Sequence, residues 1–308
     1  ALEDKASEGL EVKILVDAWG TGADTTFFEP LTKLGAEVRI YRKMRLGKSF
    51  LSKNHCRNHR KLIVIDGETG YIGSTNITAY CLNWRELNLR TTDKAVLSVL
   101  RRSYKDSFRS FERYSFNKIG TKRDLHTGDW VFIQDLPGIY RQKIKTKYER
   151  MISKAEKEIL IETPYFLPGH VLRKLLCEAA QRGVNVNVIT PIHSDVHVVD
   201  IIRRHYLGSL HQAGVKLHFY TAGNLHAKGV MIDNEIFSIS SANFDYRSFR
   251  YQYELALIGK EPQLLPQLQE HFDSTLKYCT SFDYASWKRR STIDRIIEFM
   301  LLPFRYLF

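Results

Sequence analysis

Two histidine–lysine pairs carry the chemistry open to this sequence. In NHRKLIVIDGETGYIGSTN (58–76), His59 and Lys61 stand two residues apart and are followed by Asp66, Ser74 and Asn76. In LHAKGVMIDNEIFSISSAN (225–243), His226, Lys228, Asp233, Ser241 and Asn243 return in the same order, each 167 residues after its counterpart. Either copy alone would pass for a structural histidine beside a solvated lysine. Core packing, however, gives no reason for the same two ionisable residues to recur together. Two imidazoles, two ammonium groups, two amides and two hydroxyls form a donor-rich set that suits a tetrahedral phosphate.

The elements that must position these groups follow from their spacing. If Lys61 opens the apolar run LIVI as a strand, His59 and Lys61 project from one face and can share a ligand. Asp66, seven positions from His59 and followed by Gly67, falls on the other face or in a hairpin turn, so its first role is structural. Ser74 and Asn76, again two apart on the returning strand, can present a hydroxyl and an amide to the site. The repeat extends upstream, where EDKASEGLEVKILVD (3–17) matches CEAAQRGVNVNVITP (177–191) at an offset of 174. Each reads as a helix end closed by Gly9 or Gly183, then an alternating strand. The first copy carries seven more residues between that glycine and its histidine, inside a basic stretch around 39–61.

In the second copy, helices at 140–157, 171–182, 195–213 and 262–278 interleave with strands at 158–163, 184–190, 215–220, 227–233, 236–241 and 253–258. This predicts an α/β sheet with helices on both faces, and two such units facing each other as pseudo-symmetric halves. The helix at 140–157 and the strand in ILIETPYFLPG (159–169) have no counterpart in the first copy. About 35 residues of the first domain are therefore expected to be missing from this chain, which reads as a fragment. Residues 121–137, with Gly128 and Pro137, read as the linker.

The chain has 308 residues, 44% hydrophobic and 12% aromatic, which excludes a disordered or collagen-like protein and allows two domains. Lys and Arg number 46 against 34 Asp and Glu, a formal charge of +12 that calls for an anionic partner: nucleic acid, an anionic membrane surface or a phosphorylated substrate. Cys56, Cys81, Cys177 and Cys279 form no C-x-x-C pair, so neither a zinc site nor a disulfide framework is indicated, and a reducing compartment is expected. Residues 1–9 carry no secretory pattern, and no apolar run is long enough to span a bilayer. Near the end, Ile293, Ile296, Ile297, Met300, Leu301 and Phe304 fall at helical spacing behind the basic run KRR (288–290). That segment fits either a packed terminal helix or an interfacial membrane contact. His193, His197 and His205 lie around Asp195 and Asp200, where a solvated helix face is preferred to a metal site.

The pattern His-x-Lys-x-x-x-x-Asp followed by Gly-Ser-x-Asn, occurring twice, resembles the phospholipase D superfamily over nearly the whole chain. Within it the sequence is most similar to bacterial cardiolipin synthases, through NHCRNHRKLIVIDG (54–67), NWREL (83–87), TPYFLPG (163–169), AAQRGVNVNVITP (179–191), LHAKGVMID (225–233), SANFDYRSF (241–249) and YEL (253–255). The chain departs from the pattern at Ser240, where the family usually has glycine, whereas the first copy keeps Gly73. If the backbone there needs positive φ or close approach, the second half-site is altered.

The resemblance implies two phospholipase D-like α-β-α sandwich units with mixed central sheets, the first lacking its N-terminal helix and strand. They are placed at 1–130 and 131–290, with an amphipathic segment at 291–308. It implies that one histidine forms a phosphohistidine while the other serves as acid and then base; by analogy His59 is the nucleophile and His226 the acid. Lys61, Lys228, Asn76 and Asn243 would stabilise the equatorial oxygens, and Glu86 and Glu254 would hydrogen-bond the histidines and fix their tautomers. Asp66 and Asp233 belong to the motif, and Ser74, Ser241 and Tyr165 are carried as substrate-binding candidates. No cofactor and no metal are called for.

The implied reaction is transfer of a phosphatidyl group between phosphatidylglycerol molecules, giving cardiolipin, at the cytoplasmic face of a bacterial inner membrane. The partners are then an anionic phospholipid substrate and a membrane surface, with the oligomeric state left open. A phosphodiester hydrolase or nuclease is the alternative, motivated by Arg39, Arg42, Lys43, Arg45, Lys48, Lys53, Arg57 and Arg60 with no acidic residue between. Aromatic interleaving there is thin, only Tyr41 and Phe50, which ranks nucleic acid behind lipid. A non-catalytic anionic-lipid-binding protein follows if Ser240 and the missing strand have disabled the site.

Overall fold

The computed structural model describes residues 1–19, 25–41, 56–109, 124–138 and 142–308. Arg42, Lys43, Arg45, Lys48, Phe50 and Lys53 of the basic stretch lie outside them, as do the linker before Asp124 and the start of the expected helix at 140. The described strands are β1 (Lys13–Asp17), β2 (Glu37–Tyr41), β3 (Arg57–Asn58), β4 (Leu62–Ile65), β5 (Thr69–Gly73), β6 (Asn88–Thr91), β7 (Leu125–Thr127), β8 (Trp130–Asp135), β9 (Glu158–Glu162), β10 (Asn185–Pro191), β11 (Lys216–Tyr220), β12 (Gly229–Ile232), β13 (Ile236–Ser240), β14 (Gln252–Gly259) and β15 (Cys279–Ser281). The helices are α1 (Leu2–Ser7), α2 (Glu29–Lys33), α3 (Lys94–Arg109), α4 (Lys143–Lys154), α5 (His170–Gln181), α6 (His197–Gln212), α7 (Tyr246–Tyr251), α8 (Leu265–Leu276), α9 (Tyr284–Lys288) and α10 (Thr292–Leu301).

The second half is built on one mixed sheet in the order β15-β11-β10-β9-β12-β13-β14-β8-β7. Its strands alternate as the pleat demands: Ile159, Ile161, Val186, Val188, Val230 and Ile232 pack with α4, α5 and α6. Leu160, Ile189, Met231, Phe237, Leu255 and Leu257 pack on the other side with α8 and with Ile72, Leu87, Leu89, Val96 and Leu100 of the first half. That second core is continuous across the two repeats, so each half buries apolar surface that the other would otherwise expose.

The first half repeats the layout with its sheet divided. β1 and β2 pair parallel, as β10 and β11 do, and β4-β5-β6 pair antiparallel, as β12-β13-β14 do. Among the described residues no strand bridges the two sheets where β9 joins β10 to β12. Ile63 and Ile65, the counterparts of buried Val230 and Ile232, are accordingly 40% and 49% exposed.

The linker reading of 121–137 is corrected. β7 and β8 form a hairpin around Gly128, which has φ +56°, and β8 runs antiparallel to β14 as part of the second half's sheet. The 130/131 boundary thus falls inside a hairpin. The apolar run VFI has no polar alternation to mark it as a strand, because both faces of β8 are covered, and a turn glycine in sequence resembles punctuation between domains.

Asp66 and Asp233 sit in the hairpin turns after β4 and β12, both with positive φ, 54° and 55°. Five residues of extended chain, about 16 Å, separate Asp233 from Lys228, so neither motif aspartate belongs among the reacting groups. Asp233 instead accepts backbone N–H groups from Glu156, Lys157 and Glu158 at 2.9, 2.7 and 2.8 Å, pinning the turn to the start of β9. Asp66 is exposed, and among the described residues no such segment donates to it. Burial alone would raise the Asp233 pKa, but those three donors hold it below the usual carboxylate value. Asp233→Ala is therefore expected to lower stability by about 1–3 kcal/mol in urea titrations at pH 7, and Asp66→Ala by less than about 0.5 kcal/mol. Because the Asp233 contribution is lost as pH falls through its lowered pKa, the gap between the two variants should close in acid.

Candidate active site

His59 follows the short strand β3, and its backbone N–H donates to Tyr253 O at 3.1 Å, so it enters the cleft beside β14 of the other half. The arrangement is mirrored: His226 N–H donates to Arg85 O at 2.8 Å. Tyr253 and Arg85 each precede a glutamate. As a result His59 Nδ1 meets Glu254 Oε1 at 2.9 Å and His226 Nδ1 meets Glu86 Oε1 at 2.8 Å. Both glutamates singled out from the sequence thus take their places, each paired with the histidine of the opposite half. Where the carboxylate is ionised it accepts the Nδ1 proton, and Nε2 of that ring keeps its lone pair for chemistry.

Lys61 and Lys228 project on the same side as their histidines, as the two-residue spacing requires, and donate to His59 O and His226 O at 2.8 and 2.7 Å. The two half-sites share one space. Each lysine carries the electrostatic imprint of both glutamates, and each imidazole that of both lysines. Burial, opposed by the glutamates, brings Lys61 down to about 8; burial and then Lys61 bring Lys228 down to about 7. Burial and Lys228 push His226 down to about 3, and burial and the lysines lower His59 as well. Glu254, wholly buried, is raised to about 7. Glu86 would be raised by its burial, but the bond from His226 holds it below the usual value. An empty cleft thus concentrates positive charge that burial disfavours and a bound anion would restore.

The serines are corrected. Ser74 and Ser241 are fully buried, and both hydroxyls are occupied by the strands that carry the glutamates. Ser74 Oγ accepts from Leu87 N and donates to Leu87 O, at 2.9 and 3.1 Å; Ser241 Oγ accepts from Leu255 N at 3.0 Å and donates to Glu254 Oε2 at 2.5 Å. They position the carboxylates rather than touch a ligand. Asn243 is buried with Oδ1 unpartnered, and Asn76 is half-buried at the matching position. Tyr165 donates to Asp195 at 2.6 Å and lies near Asp245 and Arg247. Ser240 adopts none of the positive-φ geometry that would demand glycine, and its hydroxyl accepts from Ala242 N at 2.7 Å. Gly73 is different, since a Cβ there would meet Leu87 O at 2.3 Å, so the departure at 240 leaves the second half-site intact.

Several neighbours were not assigned from the sequence. The Trp84 ring stands edge-on to His226 at 5.3 Å and packs on Tyr80; Ile77, Tyr80 and Leu82 are largely exposed beside it, an apolar rim on the cleft. Arg85 donates to His271 O at 2.9 Å and to Thr275 Oγ1 at 3.0 Å, anchoring the Glu86 segment to α8. Arg247 has a buried Nε without a partner. Trp84 lies two residues before Glu86, a spacing that places it on the glutamate's side of an extended segment. The other two have no local signal.

The described arginines of the basic stretch face inward. Arg39 bonds Glu37 and Phe108 O, Arg57 bonds Asp17, and Arg60 reaches Ser107 and Asp135 O. Of the carboxylates near the 193–205 histidines, Asp200 accepts from Ser194 N and pairs with Arg203, and Asp195 accepts from Tyr165.

The family described as "Cardiolipin synthase, PLD-like domain" matches residues 1–107 and 148–276. Similar curated proteins include the cardiolipin synthase of Clostridium perfringens and the major cardiolipin synthase ClsA of Bacillus subtilis, each 32% identical over 97% of this chain. Both are longer, and the chain spans 66% and 64% of their lengths. Among solved structures, the phosphatidylserine synthase of Haemophilus influenzae shares the fold with a TM-score of 0.68 at 11% identity, over 99% of this chain and 93% of that one. Both half-sites, from His59 to Glu86 and from His226 to Glu254, fall within the matched residues, and the chain belongs to the cardiolipin synthase PLD-like domain family.

Proposed function

We propose that this chain transfers a phosphatidyl group from one phosphatidylglycerol to another, forming cardiolipin and releasing glycerol, through a phosphohistidine. The observation that carries the reading is the crossed pair of imidazoles, each held at Nδ1 by a carboxylate of the opposite half, with Lys61 and Lys228 near enough to act on both rings.

His59 Nε2 attacks phosphorus and forms the P–N bond while the P–O bond to glycerol breaks. The departing oxygen takes the proton of His226, whose imidazolium is stabilised by Glu86. The acceptor hydroxyl then returns a proton to His226 as its oxygen attacks, breaking the P–N bond and regenerating both rings. Ionised Glu86 beside His226 and the wider opening of His59, 22% exposed against 6%, favour this assignment of roles. His226 needs its proton only while the substrate anion occupies the cleft and offsets the lysine charge. Lys61, Lys228 and the amides of Asn76 and Asn243 then face the equatorial oxygens.

A lipid substrate is favoured over nucleic acid by the apolar rim of Ile77, Tyr80 and Leu82 and by the inward turn of Arg39, Arg57 and Arg60. The names of the similar curated proteins support the same choice. No described helix is long and apolar enough to cross a membrane, and action at the cytoplasmic face of a bacterial inner membrane, in contact with anionic phospholipid, is part of this proposal.

Incubated with phosphatidylglycerol vesicles, the protein should yield cardiolipin and glycerol in equal amounts by mass spectrometry, and His59→Ala or His226→Ala should lower the rate by roughly 10²–10⁴-fold. Phosphatidic acid as sole product would make it a hydrolase; cleavage of DNA without lipid turnover would make it a nuclease. Unreduced lipid turnover in both histidine variants would end the covalent reading. A phosphodiester with a p-nitrophenol leaving group needs no acid, so it should rescue formation of the phosphoenzyme in His226→Ala and not in His59→Ala. The reverse pattern would exchange the roles.

Anion binding should also report the lysines. Well below pH 7 both carry charge; through pH 7–9 both lose it in the free protein while Glu254 ionises beside them, so binding must draw in protons. Tungstate or vanadate affinity, measured by calorimetry, should be flat below pH 6.5 and fall from pH 7 to 9, by up to about tenfold per lysine per unit. An affinity that does not change over this range would mean that the lysines do not contact the anion.

A further inference from the structure

The amphipathic tail lies in the opposite sense to an ordinary terminal helix. α10 leaves Ile293, Ile296, Ile297, Phe299 and Met300 exposed, two of them at 69%, with Phe304 beyond, while Glu298 is 1% exposed. The helix is attached by its polar side. Glu298 takes a two-pronged bond from Arg290, at 2.8 and 3.1 Å, and the Arg290 guanidinium lies over Trp287 at 3.8 Å. Trp287 in turn donates to Arg204 O at 2.8 Å and presses on α6 at Gly208, where a Cβ would meet the indole at 2.1 Å. Arg295 donates to Lys288 O. Only Leu301, Leu302 and Phe308 join the apolar cluster with Val199 and Ile202.

Packing alone does not produce this arrangement. A buried ion pair stabilises little compared with apolar side chains of similar volume, so a chain selected only for a closed fold would turn the isoleucines inward. An exposed apolar stripe of this size marks a surface that meets something else. Its charge indicates what. Glu298 is paired with Arg290, which leaves Asp294 as the one other acid of 288–308 against Lys288, Arg289, Arg295 and Arg305, of which Lys288 and Arg289 stand exposed at the head of the segment. Apolar residues in a row with uncompensated cations beside them match the interface of an anionic bilayer.

The segment is also fixed to the cleft. Phe308 O accepts from Arg247 N at 2.8 Å, and the Tyr306 ring packs against Tyr246 at 4.9 Å and under Arg250 at 4.8 Å. These are residues of α7, whose capping Asp245 lies two positions after Asn243.

We propose that the 292–307 segment is a docking face for an anionic phospholipid bilayer, seated beside the second half-site so that a lipid headgroup reaches the cleft without leaving the membrane. The proposal rests on the lipid reading above for its purpose, but its first test is binding and needs no turnover. The full chain would be sedimented with sucrose-loaded vesicles of phosphatidylcholine, or of phosphatidylcholine mixed with phosphatidylglycerol. It should partition to the anionic vesicles, and the triple variant Ile296→Ser, Phe299→Ser, Met300→Ser should bind at least about tenfold more weakly. Lys288→Gln with Arg289→Gln should weaken binding by roughly fivefold per charge at low salt and less at high salt. An unchanged circular dichroism spectrum shows that each variant is folded. Turnover of a water-soluble short-chain phosphatidylglycerol should be equal in wild type and the triple variant, while turnover of vesicle lipid falls. Loss of short-chain turnover in wild type as well would count against the enzymatic reading and leave the binding result standing. Equal vesicle binding by the triple variant would overturn the docking face. So would a variant that binds vesicles normally but loses a concentration-dependent dimer, which would assign the stripe to a second copy of the chain.

Discussion

A carboxylate withdrawn from water is costly unless it is hydrogen-bonded, and here both carboxylate–imidazole pairs cross from one half to the other. Glu254 belongs to the second repeat and serves His59 of the first; Glu86 belongs to the first and serves His226 of the second. Neither half-site is complete alone. The backbone bonds from His59 to Tyr253 and from His226 to Arg85 hold each glutamate-bearing strand against its histidine, and the serine hydroxyls fix those strands from behind. The shared core of Leu87, Leu89, Leu255 and Leu257 makes the crossing rigid. The duplicated fold is therefore a device for exchanging two acidic strands.

The crossing also governs the charge of the cleft. Two lysines and two histidines are brought together in a buried space against two carboxylates, and burial then strips protons from the cations. Burial disfavours these cations, so the site is electrostatically complementary to an anion. Complementarity of this kind is larger for a transition state, in which charge on the equatorial oxygens grows, than for the ground state. Each lysine side chain is anchored to the carbonyl of its own histidine, so cation and imidazole are held together.

Much of this was legible in the residue pattern because it repeats at a constant interval. The offset of 167 carries His, Lys, Ser and Asn to equivalent places, and the shift to 174 upstream located β1 against β10. What the pattern could not carry was the partner of each residue. Ser74 and Ser241 look like ligands in a list of polar groups, yet their neighbours across the sheet claim both hydroxyls. Arg60, in a run of basic residues, looks like a surface charge and is instead a tie between α3 and β8. The β7–β8 hairpin looks like a linker in sequence because a strand covered on both faces has no alternation. Asp66 and Asp233 share a motif position and a positive φ, but among the described residues only Asp233 has a neighbouring strand start to hold.

That last difference shows how a symmetric plan yields unequal halves. If both copies met identical surroundings, the two imidazoles would have the same proton affinity and neither would be committed to attack or to proton transfer. The surroundings differ. β9 and α4 close the second half's sheet, whereas the first half's described strands remain in two pieces. Phe244 and Phe249 are buried against Tyr148 of α4, while their counterparts Ile77 and Leu82 stand exposed on the rim. Glu254 consequently sits in a dry interior and is pushed toward protonation, while Glu86, nearer the open rim, stays ionised beside a histidine shielded by Trp84. Packing remote from the cleft thus acts through the solvation of the two crossed carboxylates and makes histidines at equivalent positions distinct.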